Sequence, residues 1–158
     1  MARSPMTGAP KGCMSTFTFR PACEALMNQM DPQLCAGLGT LAGKTILVVE
    51  DEVLIAMDIN ECLEEAGAKV LYGRNLRQGM KQLDHEIDVA LLDVSLGHSE
   101  TCLPIAEALR DRGVPFVLHS GDLQRLGETI SSIGAPVLEK PCDVAVIRGA
   151  LLKALASR

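Results

Sequence analysis

The chain has no tryptophan, one tyrosine and three phenylalanines, and no cluster of lysine or arginine is interleaved with them. Proteins that hold nucleic acid need a basic track beside stacking rings, and a formal net charge of -5 opposes any polyanion. Nucleic acid is therefore not expected as a direct partner. No C-x-x-C pair occurs among Cys13, Cys23, Cys35, Cys62, Cys102 and Cys142, and no histidine stands at zinc-ligand spacing from them. The thiols read as isolated small hydrophobes in a reducing compartment. No window approaches the roughly 18–20 apolar residues of a spanning helix, and the N-terminus lacks a charged start followed by an apolar run. Neither a membrane nor secretion is expected, which leaves the cytoplasm as the expected location.

What is present is enough apolar material, 47% of 158 residues, for one domain with a core of its own. Residues 1–43 stand apart: they hold five of the seven methionines, half of the prolines and three of the six cysteines, with no sustained strand or helix period. The expectation is a flexible N-terminal extension, with enough amphipathic pattern at 22–30 for a short helix. Residues 44–158 carry 12 basic and 18 acidic side chains, so the excess acid belongs to the domain. There, short apolar runs at 45–49, 68–72, 89–92, 114–119 and 135–138 alternate with amphipathic stretches at 53–66, 76–83, 103–112, 123–133 and 144–156. Wholly apolar runs are strands buried on both faces, so the pattern predicts a doubly wound α/β domain: a five-stranded parallel sheet with helices on both faces. Gly67 and Gly113 stand where two helices need left-handed caps, and Asp143 where the last helix needs an N-cap.

In an open parallel sheet, ligands bind beyond the carboxyl ends of the strands, where loops diverge at a topological switch point. The residues there are Glu50-Asp51-Glu52, Asp93, Ser120 and Lys140-Pro141; only the second run ends without evident chemistry, at Tyr72-Gly73. Taken singly, each acid reads equally well as a helix-dipole or turn residue. Their convergence at one sheet edge favours a site. If strands one and three are neighbours, Asp51 and Asp93 face each other, and three close carboxylates (Glu50, Asp51, Asp93) repel unless a cation neutralises them. Oxygen donors without His or Cys suit Mg²⁺, which takes one or two carboxylates and leaves room for water and phosphate oxygens. Lys140 supplies a point charge and Ser120 a hydroxyl donor. A carboxylate in that setting is a competent nucleophile toward phosphorus, which makes Asp93 the candidate phosphoacceptor.

The segments ILVVEDE (46–52), LLDVSLG (91–97), LHSG (118–121) and LEKPCD (138–143), in this order, resemble the receiver domain of two-component response regulators over residues 44–158. The resemblance implies a flavodoxin-like (CheY-like) fold with strand order 2-1-3-4-5. It also implies phosphorylation of Asp93 by a sensor histidine kinase or phosphotransfer protein, with Asp51 as a direct Mg²⁺ ligand and Glu50 as a second acid acting through water. The Ser95 backbone carbonyl would be a further ligand, Ser120 the switch hydroxyl, and Lys140 a phosphoryl contact whose bond to Pro141 is often cis. Receivers usually carry Phe or Tyr three residues before the lysine, and here that position is Val137. The segments 114–122 and 134–141 resemble instead the alphaproteobacterial "FAT GUY" receivers, which commonly stand alone and pair with HWE-type kinases. Ser120-Gly121-Asp122 replaces their Thr-Gly-Tyr.

The function so implied is a single-domain response regulator that signals by phosphorylation-dependent protein binding and is not an enzyme beyond its own phosphorylation and dephosphorylation. Two other functions fit parts of the pattern. One is a receiver-like interaction module indifferent to phosphate, in keeping with Val137. The other is a Mg²⁺-dependent phosphohydrolase, but the haloacid-dehalogenase type needs an acid two residues after the nucleophile, where this chain has Ser95. His119 reads as a core histidine or one that supports the site from behind its ligands, rather than as a ligand or phosphodonor. His85, His98, Arg110 and Arg112 read as surface, and Glu61, Glu64 and Glu65 as a solvated helix face, on the helix that commonly meets the kinase in receivers.

Overall fold

Five apolar segments form one parallel sheet: β1 (Thr45–Val49), β2 (Lys69–Gly73), β3 (Val89–Asp93), β4 (Phe116–Ser120) and β5 (Val137–Glu139), ordered β2-β1-β3-β4-β5. This is the strand order the resemblance implied. The computed structural model describes residues 40–97, 100–121, 131 and 133–157. Most of the N-terminal extension, His98, Asp122 and most of the helix expected over 123–133 lie outside the described residues, of which Ser131 and Ile133 are helical. The described residues include four complete helices, α1 (Val53–Glu65), α2 (Leu76–Gln82), α3 (Leu103–Asp111) and α4 (Val144–Ala156). No helix among the described residues is long and apolar enough to cross a membrane.

The strands are apolar on both faces because helices cover both. Ile46, Val48, Val89, Leu91 and Val117 pack against Ile59 and Leu63 of α1 and Ile147 and Leu151 of α4. Leu47, Val49, Ala90, Leu92 and Leu118 turn the other way, onto Ile105, Ala106 and Leu109 of α3. Each fully buried Leu or Ile is worth about 1.5–3 kcal/mol over leaving it exposed. The central strands β1, β3 and β4 therefore form a rigid base for the loops at their ends.

Three strands begin later than their apolar runs, β2 and β4 for one shared reason and β5 at Val137, two residues into the run expected over 135–138. Gly67 (φ +82°) and Gly113 (φ +64°) end α1 and α3 in the left-handed conformation the sequence predicted. In each case the next N–H turns back onto the helix: Ala68 donates to Leu63 O and Val114 to Leu109 O, alongside Gly67 to Glu64 O and Gly113 to Arg110 O. These paired bonds are a Schellman cap, and they take Ala68 and Val114 out of the strands. Pro115 has no N–H to give the ladder, so β4 starts at Phe116. Asp143 caps α4 as expected, its carboxylate accepting from Ala145 N–H at 2.8 Å.

Leu41, assigned from the sequence to the extension, is 2% exposed and packs with the α1–α4 side of the core. Gly43 N–H donates to Gly67 O and Lys44 N–H to Leu41 O. The packed chain therefore reaches back to Leu41, ahead of the expected start at Lys44. Helix α2 lies close on β2 because both contribute glycine at the contact. A Cβ on Gly73 would lie 2.6 Å from Gly79 N, and one on Gly79 would lie 2.5 Å from Ile105 Cδ1.

Candidate functional site

The register of the sheet assembles the site. Val49 pairs with Leu92, so Glu50 and Asp93, the next residue of each chain segment, emerge side by side from β1 and β3. Asp93 pairs with His119, and Ser120 with Glu139, which sets Lys140 at the same edge. Carboxylate oxygens of Glu50, Asp51 and Asp93 all lie within 4.8 Å of one another. Lys140 Nζ sits between two of them, 2.7 Å from Glu50 Oε1 and 2.7 Å from Asp93 Oδ2. Ser95 N–H donates to Asp93 Oδ1 at 3.0 Å, and Lys140 N–H donates to Ser120 O at 2.8 Å. Ser120 is buried at the end of β4, and the Lys140–Pro141 peptide is cis.

Two buried carboxylates thus share one ammonium. Glu50 is 1% exposed and Asp93 4%. Burial, together with the negative charge of Glu50, pushes the Asp93 carboxyl up to about 7, although the bonds from Lys140 and Ser95 N–H pull the other way. Burial also works to raise Glu50, but His119 and Lys140 outweigh it and hold this carboxyl below its ordinary value. Lys140 is held above its ordinary value: burial favours the neutral amine, and the bonds to Asp93 and Glu50 override it. The cluster is therefore short of positive charge. The all-oxygen donor set of Glu50, Asp51 and Asp93 fits a hard divalent ion such as Mg²⁺.

Two residues that bear on the site, Tyr72 and Gly97, were not read from the sequence. Tyr72, at the strand end that looked empty, donates its hydroxyl to Glu50 O at 2.9 Å. Burial raises its phenol, which stays a donor at neutral pH. Gly97 takes φ +71°, and a Cβ there would lie 3.1 Å from Asp51 Oδ2, so the loop after β3 passes close over the acid. Glu52 starts α1 without a side-chain cap and lies 3.6 Å from Lys140 Nζ instead. His119 is a core residue that also stands behind the site, as expected, with Nδ1 3.4 Å from Glu50 Oε2. His85, Glu61, Glu64 and Glu65 are exposed. Arg112 is exposed yet engaged, its guanidinium donating to Leu83 O and, at 3.2 Å, to His85 O.

No family model and no curated protein matches the sequence. Solved structures do match. One is a response regulator receiver protein from Sinorhizobium medicae, with 24% identity and TM-score 0.66 over 75% of this chain and 98% of that one. A CheY-like response regulator receiver domain protein from Methanospirillum hungatei has 22% identity and TM-score 0.65 over 73% and 96%. The response regulator PhyR from Brucella abortus has 20% identity and TM-score 0.68 over 85% of this chain and 56% of its own. The chain has the fold of CheY-like receiver domains.

Proposed function

We propose that this chain is a receiver that accepts a phosphoryl group on Asp93 and signals through phosphorylation-dependent protein binding. The observation that carries this reading is Lys140 Nζ at 2.7 Å from both Glu50 and Asp93, beside Asp51. A carboxylate must be ionised to attack phosphorus, and burial holds Asp93 partly protonated near neutral pH. Positive charge among the acids reverses that. Glu50, Asp51 and Asp93, with the Ser95 carbonyl, are the groups that would hold Mg²⁺, which when bound supplies charge that screens the acids from incoming phosphoryl oxygens.

The donor is a phosphohistidine on a sensor histidine kinase or a phosphotransfer protein. A carboxylate oxygen of Asp93 attacks the phosphorus, and the phosphorus–nitrogen bond breaks. Its electron pair stays on the imidazole, and an acyl phosphate remains on Asp93. Lys140 shifts its hydrogen bond from carboxylate to phosphoryl oxygen, and the Ser120 hydroxyl donates to another. The segments 114–122 and 134–141 support a cytoplasmic receiver of the "FAT GUY" type, with residues 1–43 as its N-terminal extension.

Val137 favours a second reading. It lies half-buried on β5 against the α3-side core, where a receiver's aromatic would stand, so partner binding could proceed without phosphate. Incubation with phosphoramidate and Mg²⁺, followed by intact mass measurement, should give one phosphoryl adduct that is absent from Asp93→Asn. No adduct, or one that persists in Asp93→Asn, overturns the phosphoacceptor. Unchanged partner binding by Asp93→Asn would select the second reading.

A further inference from the structure

We propose that Tyr72 is a positioning residue for the cation site, its hydroxyl locking the peptide that joins Glu50 to Asp51. This rests on the reading of Glu50, Asp51 and Asp93 as cation ligands. The pairing of β1 with β2 ends at Val49 and Gly73. Just beyond it, Glu50 N–H donates to Gly73 O at 3.2 Å and Tyr72 donates its hydroxyl to Glu50 O at 2.9 Å. Both peptide groups flanking Glu50 are therefore tied to β2. The second matters more, because the peptide is planar and its carbonyl belongs to the unit between the two acid-bearing residues. Fixing that plane fixes the directions in which the Glu50 and Asp51 side chains leave the backbone.

Tyr72 is itself held. Gln82, the last residue of α2, donates its side-chain amide to Tyr72 O at 3.1 Å, and the ring packs among the apolar residues of the α1–α4 side. A chain of contacts thus runs from α2 through an edge strand to the acid pair. Hydrogen bonds that orient metal ligands without touching the metal are commonly worth about 10–100-fold in affinity. Loss of this hydroxyl should cost about tenfold, the low end, because it acts through backbone.

The test is calorimetric titration of the full chain with Mn²⁺ and Mg²⁺, for wild type, Tyr72→Phe and Asp51→Asn, with folding checked by far-UV circular dichroism. Phenylalanine keeps the ring and removes only the donor. A tenfold weaker dissociation constant in folded Tyr72→Phe supports the proposal, while equal affinity overturns it and leaves the ligand reading standing. No binding by wild type, or equal binding by Asp51→Asn, overturns the ligand reading and this inference with it. A second measurement needs no variant. The chain has one tyrosine and no tryptophan, so its near-UV tyrosine spectrum isolates Tyr72. That spectrum should change with the calorimetric dissociation constant, and an unchanged spectrum at saturation overturns the proposal.

Discussion

Replacing Asp93 by asparagine keeps the shape of the side chain and removes its charge, so it isolates the cost of holding that charge in the core. Burial beside Glu50 pushes the Asp93 carboxyl up to about 7 from an ordinary 3.8. At about 1.4 kcal/mol per pH step, the ionised carboxylate carries a penalty on the order of 4 kcal/mol. Its folded value is the higher one, so between the two values the folded protein keeps a proton that the unfolded chain has released. Stability must then fall as pH rises from about 4 to about 7, and above that the whole penalty is in place. Between pH 5 and pH 8 the wild type crosses about two such steps and should lose about 3 kcal/mol that Asp93→Asn retains. The amide oxygen of asparagine can still accept from Ser95 N–H or Lys140, now 3.0 and 2.7 Å from the carboxylate. One hydrogen bond of the carboxyl group is lost at both pH values, and the part that does not depend on charge cancels from the comparison. Urea unfolding with a chelator present, followed by far-UV circular dichroism at pH 5 and pH 8, measures the difference. If the advantage of Asp93→Asn over wild type does not grow with pH, the account of a charge-starved site is wrong.

Lys140→Ala should destabilise the metal-free protein at pH 8 by about 3–5 kcal/mol, because it leaves buried carboxylates without their cation. The loss should shrink at pH 5, where Asp93 holds a proton; the same urea titration reads it, and a loss independent of pH would contradict the shared-ammonium arrangement. Gly79→Ala gains about 1 kcal/mol of helix propensity, but the new Cβ would lie 2.5 Å from Ile105 Cδ1 and 3.1 Å from Val49 Cγ2. A net loss of about 1–3 kcal/mol and a lower Tm are expected. A neutral or raised Tm would mean that α2 has room to shift.

The sequence by itself determined the layer architecture and most of the acidic site. A parallel strand covered on both faces is written as a mostly apolar run, and four of the five runs here lead into a polar residue at one edge of the sheet: Glu50, Asp93, Ser120, and Lys140 just past β5. Gly67, Gly113 and Asp143 were legible because caps are local, set by one residue's backbone freedom or one short side chain. Tertiary structure decided what depends on contacts between distant segments. The strand starts at Lys69 and Phe116 follow from which N–H the preceding helix takes back. The raised Asp93 carboxyl exists because the fold buries it beside Glu50, which outweighs the opposing pull of Lys140 and Ser95 N–H. Tyr72 carried no local mark of its role, since the partner of its hydroxyl is a backbone carbonyl, and every residue offers one. Only the pairing of β1 with β2 says which carbonyl comes within reach, and here it is the one between two acids.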